Sequence, residues 1–205
     1  SGILLQLHQN DQPIRLAKMP TLVKNADKLE EELKQKVEEI ALLCEWPGHK
    51  VDRAQKRAQA SLTPEEQTLF SIGRKHYLTS CASCHGDDGR GIGRFAPPLK
   101  GSEWVLGDDR QLALILLHGI EGPIEVNGHT YQAPEILPVM PAHSVLNDKE
   151  IAAVMTYIRN DWGNNGGAIK PGRVGHIRHR SQGRVQPWDV KDLNAHLAGL
   201  ENQDL

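Results

Sequence analysis

One short stretch limits what this chain can fold into more than any other: SCASCHGDDGRG, residues 80–91. It holds two of the chain's three cysteines and follows them at once with a histidine. Three chemistries use cysteines at this spacing: a structural zinc site, a redox dithiol, and a covalently attached haem. Zinc needs a second close Cys or His pair, and the remaining Cys44 stands alone. A redox dithiol calls for a strand–helix–strand context, whereas helical patterns flank this motif. Cys81-x-x-Cys84-His85 matches the attachment signature of c-type haem. Two cysteines three apart on one helical turn reach both vinyl groups of a single porphyrin. The adjacent His85 then lies beneath the iron as proximal ligand, giving one covalent haem c per chain.

The sixth iron ligand decides between functions. A methionine raises the potential and suits electron transfer, and an open position suits catalysis. Of the three methionines, Met19 lies far upstream and Met155 sits at a core-facing helical position. Met140 lies in LPVMPAH, stiffened by prolines on both sides. His85 and Met140 are therefore the expected metal ligands, with His143, His129 and His118 as the alternatives to Met140.

Around this motif the chain reads as mainly helical. A net charge of −2 gives no global reason to bind nucleic acid, and no apolar run is long enough to cross a bilayer. With a hydrophobic fraction of 39%, two Phe and three Tyr, the core is lean, and a bound cofactor would supply apolar bulk. Residues 1–60 are expected to form a helical extension and linker. Within it, residues 21–45 carry Leu22, Ala26, Leu29, Leu33, Val37, Ile40 and Cys44 at helical steps, a seam for packing or for pairing of two chains.

Residues 61–165 are expected to form the haem domain. Thr63, Pro64 and Glu66 mark one helix start, an Asp before Gln111 a second, and Asn147 with Glu150 a third. Asn127-Gly128 marks a short β-hairpin inserted between the last two. Residues 166–205 read as a basic tail ending in a short helix, with Lys170, Arg173, Arg178, Arg180 and Arg184 available to an acidic partner.

The strings CASCHG, APPL, GPIEVNG, MPA and TYIRNDWGN resemble class I cytochrome c domains. They are most similar to those serving periplasmic quinoprotein dehydrogenases of alcohols, aldehydes and sugars. The resemblance spans roughly residues 64–180. It implies a class I cytochrome c fold wrapped around one haem. It also implies that the Pro97 carbonyl accepts from His85 Nδ1–H, that Leu99 packs on the haem, and that Trp104 lies along its edge with the indole N–H near a propionate. Tyr131 would line the pocket, and Arg173 or Arg178 would pair with a propionate.

The implied function is one-electron transfer, from a dehydrogenase catalytic domain or subunit to another cytochrome or a terminal oxidase. The domain would be a carrier without substrate chemistry of its own, within an oxidoreductase. The alternatives are a peroxidase-like haem enzyme with an exchangeable sixth ligand, or a haem-based sensor. Covalent haem attachment implies an extracytoplasmic, periplasmic location. The Ser1-Gly2 start reads as a cleavage scar, as expected for a C-terminal piece of a larger dehydrogenase.

Overall fold

The computed structural model describes residues 14–25, 29, 33, 37, 41, 44–48, 62–137 and 139–201. The chain divides into two compact units, Ser1–Lys56 and Arg57–Leu205.

In the first unit, β1 (Ile14–Arg15) pairs in parallel with β2 (Cys44–Glu45), with α1 (Thr21–Lys24) between them in sequence. Cys44 and Trp46 are buried against Leu16, Val23 and Ala41. The single helix expected over 21–45 is not what forms: α1 ends at Lys24, Leu29 lies in a bend and Cys44 lies in a strand. Helical spacing cannot reveal a pairing with residues thirty positions away. Of the other seam positions, Ala26 and Ile40 lie outside the described residues.

The second unit holds the other elements: α2 (Pro64–Ser80), α3 (Ala82–His85), α4 (Glu103–Leu106), α5 (Asp109–His118), β3 (Ile124–Val126), β4 (His129–Tyr131), α6 (Asp148–Asn160), α7 (Pro171–Arg180) and α8 (Val190–Glu201). The expected caps are in place. Thr63 and Glu66 close a capping box on α2, Asn147 and Glu150 close another on α6, and Asp108 caps α5. β3 and β4 form the antiparallel hairpin across Asn127-Gly128, in the register Ile124↔Tyr131.

The core is organised by the crossing of α2 and α6. Gly73 is required there: a Cβ at that position would lie 1.9 Å from the Ala153 carbonyl oxygen and 2.9 Å from Tyr157 Cβ. Beside the crossing, Phe70, Tyr77, Tyr157 and Trp162 form an aromatic cluster with ring centroids 5.1–5.3 Å apart.

The tail is more structured than its composition implies. α7 packs on α6 and α5, and α8 packs on α5. Val174, Ile177, Trp188, Leu193, Leu197 and Leu200 belong to the same core as α2 and α6. A basic run thus covers an apolar stripe. His118 donates to or accepts from Ser181 Oγ at 2.8 Å, and His118 and His196 flank the Trp188 ring.

Two outcomes follow. Gly73→Ala lowers stability by about 1–3 kcal/mol, because the crossing must open. In a thermal melt that is about 2–4 °C per kcal/mol for a chain of this size. A rise in Tm, as the roughly 1 kcal/mol better helix propensity of Ala produces in an open helix, contradicts the close crossing. Burial lowers the pKa of both His118 and His196; repulsion from Arg184 adds to the shift at both, and a hydrogen bond to the Arg184 backbone opposes it at His118. Below the unfolded value of about 6.5 the unfolded chain binds protons that the folded chain refuses, so stability falls as pH falls from there toward the lower folded values. Denaturant midpoints taken on either side of this window show the drop, and a His118→Gln, His196→Gln double variant shows less of it.

Candidate functional site

The site grows directly from the end of α2. Cys81 caps that helix, and its carbonyl accepts from the N–H groups of Cys84 (3.1 Å) and His85 (3.0 Å), closing the single turn α3. Cys81, Cys84 and His85 thereby share one wall-forming turn, and all three line a cavity of about 410 Å³. That volume lies within the ~300–1,000 Å³ range of cofactor-sized sites. The turn is pinned from behind. Tyr77 Oη donates to the Gly86 carbonyl, and Trp162 Nε1 donates to the Asp87 carbonyl at 3.0 Å.

His85 is buried, and its Nδ1 lies 3.1 Å from the Pro97 carbonyl oxygen. A carbonyl only accepts, so Nδ1 carries the proton and Nε2 keeps its lone pair. Burial lowers the His85 pKa. The Pro97 bond opposes that shift and nearby His143 reinforces it. The ring is held neutral, the form that ligates a metal. Burial pushes the Cys81 thiol up to about 11, with Cys84 adding to the shift. Reactive dithiols show the reverse, a lowered pKa, which speaks against a redox pair. No cluster of three or more His, Cys, Asp or Glu able to hold a bare metal ion occurs among the described residues.

Met140 lines the same cavity. Its backbone N–H donates to the Ile120 carbonyl at 3.0 Å, and its carbonyl accepts from Ile120 N–H at 3.2 Å. Gly119 makes this approach possible. Its φ is +82°, and a Cβ there would fall 2.4 Å from the Met140 carbonyl oxygen. Pro97, Leu99, Trp104 and Tyr131 line the cavity as well. Of the alternatives to Met140, His143 lines it too, while His129 is bonded to Glu135 and His118 to Ser181.

Three expectations differ from the structure. The Trp104 indole N–H donates to the Glu125 carbonyl at 2.6 Å and is not free for a propionate, because the hairpin folds over it. Arg173 pairs with Asp109 at 2.9 Å. Arg178 pairs with Asp148 at 2.6 Å and also donates to the carbonyls of Ser144 and Leu146. The folding of α7 against α5 and α6 places both arginines beside those helix N-termini, and neither lines the cavity.

Sequence reasoning missed two buried polar ties. Asn164 accepts from Gly101 N–H (2.8 Å) and donates to the Ile158 (2.7 Å) and Leu99 (3.3 Å) carbonyls, locking the loop that presents Pro97 to the end of α6. Arg159, also buried, donates to the Val105, Gly107 and Gly166 carbonyls. Only the string WGN hinted at the first, and its spacing carries no statement of partner.

A helical fold with a Cys pair and a neutral histidine on one apolar cavity defines a c-type haem protein. The cytochrome c family matches residues 70–162. Cytochrome c-552 of Thermus thermophilus is 40% identical over 95 residues, 44% of this chain and 68% of that protein. The cytochrome c subunit of the quinone alcohol dehydrogenase of Gluconobacter oxydans is 38% identical over 97 residues, 46% of this chain and 19% of that subunit. The gluconate 2-dehydrogenase cytochrome c subunit of Pantoea cypripedii is 37% identical over 125 residues, 54% of this chain and 26% of that subunit. The chain belongs to the cytochrome c family, and with it come covalent haem c and the role of a haem electron carrier.

Asn164→Ala strands the Gly101 N–H and the Ile158 carbonyl, while the Leu99 carbonyl keeps its bond from Ser102 N–H. At about 1–3 kcal/mol for each buried group left unsatisfied, the haem-loaded protein loses stability well beyond the effect of an exposed Asn→Ala change. Thermal unfolding followed at the haem absorbance measures it, and an unchanged Tm contradicts the tie.

Proposed function

We propose that Cys81 and Cys84 carry the haem through thioethers, that His85 and Met140 ligate its iron, and that the domain relays single electrons from a dehydrogenase to another cytochrome or a terminal oxidase. The observation that carries this reading is the meeting of these four side chains on one apolar cavity, with His85 held in its ligating tautomer. Bound haem supplies the one-electron Fe(III)/Fe(II) couple. The protein's own groups do the rest. The Pro97 carbonyl orients the imidazole and raises its basicity. Leu99, Trp104 and Tyr131 exclude water from the ring, and the Ile120 bridge holds the thioether donor.

The donor assignment is supported by the names of the relatives, two of which are cytochrome c subunits of dehydrogenases of an alcohol and of gluconate. This chain spans only about a fifth to a quarter of those subunits. An extracytoplasmic location follows from the chemistry of thioether attachment. Among the described residues no helix is long and apolar enough to cross a membrane. The peroxidase-like alternative requires an iron without Met140.

Met140→Ala decides between them. In the wild-type holoprotein the ferric methionine–iron charge-transfer band is expected, and the ferrous form does not bind carbon monoxide. The variant loses the band, its potential falls, and it binds carbon monoxide. A wild-type protein already open to carbon monoxide overturns the carrier reading.

A further inference from the structure

The strip Gly119–Ile120–Glu121 has neighbours on both sides. Met140 pairs antiparallel with Ile120, and Trp188 pairs with Ile120 in parallel. Trp188 N–H donates to the Gly119 carbonyl at 3.0 Å, and its carbonyl accepts from Glu121 N–H at 2.8 Å. The Trp188 backbone thus holds both residues that flank the one to which Met140 is tied. Trp188 itself is buried, 3% exposed. The Arg184 guanidinium sits 3.4 Å from its ring centroid, and the rings of His118 and His196 lie 6.0 and 5.0 Å away. Arg184 also donates to the carbonyls of Gln186 and Pro187, fixing the approach to Trp188. Arg184, Trp188 and His196 lie beyond residue 162, where the match to the cytochrome c family ends.

We infer that Trp188 is a positioning residue for Met140: the C-terminal segment is a backstop that fixes the Ile120 strip and so keeps the thioether at the cavity. The inference rests on the reading of Met140 as an iron ligand. Its physical basis is entropic. Both backbone polar groups of Met140 are used on Ile120, so the freedom of that strip becomes the freedom of the donor sulfur. An ordered donor loses less conformational entropy on ligation than a loose one. Anchoring the strip from its far side therefore strengthens the axial bond without touching the cavity.

The test uses the full holoprotein with Trp188→Ala, Trp188→Phe and, as a control for plain destabilisation, Val174→Ala in the core of α7. The readouts are the methionine–iron band, the reduction potential and carbon monoxide binding. Trp188→Ala is expected to lose or weaken the band, to lower the potential and to admit carbon monoxide. Trp188→Phe keeps the wild-type values, and Val174→Ala loses Tm with band and potential unchanged. A folded Trp188→Ala protein with wild-type band and potential overturns the inference while leaving the Met140 reading intact. A wild type without the band overturns both. If Trp188→Ala does not fold, Arg184→Ala takes its place. A smaller shift in the same direction supports the inference, and an unchanged band and potential overturn it.

Discussion

The contact on which the rest of this domain depends is the crossing of α2 and α6 at Gly73, where backbone meets backbone because no side chain intervenes. That approach brings Tyr77 of α2 and Tyr157 of α6 into one aromatic cluster with Trp162. Of its three polar members, Tyr77 and Trp162 spend their donors on carbonyls of the turn after His85. Burying a phenol and an indole leaves their donors in need of partners, and this turn provides them. The crossing therefore orients the Cys81–His85 turn as well as packing the core. α3 starts at the residue that caps α2, so His85 inherits its position from the same helix.

The rest of the cavity is held by backbone ties at longer range. Asn164, at the end of α6, fixes the loop that offers the Pro97 carbonyl to His85. The Ile120 strip, at the end of α5, fixes Met140. Each of the two proposed iron ligands is thus set from the terminus of a core helix. The electrostatics agree with that layout. Burial keeps His85 neutral and Cys81 protonated, which suits a ligand and a thioether precursor and does not suit a thiolate nucleophile.

The local signals were legible in the sequence because their causes are local. Capping boxes at Thr63 and Asn147, the Asp cap of α5, the Asn127-Gly128 turn and the Cys-x-x-Cys-His spacing each depend on residues a few positions apart. Its flanking prolines singled out Met140, which lines the cavity. What escaped depends on distant pairs. Cys44 continues a helical stripe and yet pairs with Ile14. Arg173 and Arg178 are cations whose partners, Asp109 and Asp148, no spacing could name. α7 was hidden by its charge, although Pro171 at its first position and Val174 and Ile177 three apart carried the signal. The lean composition was a fair guide to a core with an apolar cavity at its centre.

The central claim is that one iron sits between His85 and Met140. Iron K-edge X-ray absorption on the purified ferrous holoprotein tests it most directly. The account predicts five nitrogen neighbours, four from the porphyrin and one from His85, together with a single sulfur from Met140. A shell of light atoms alone, with no sulfur, would contradict it.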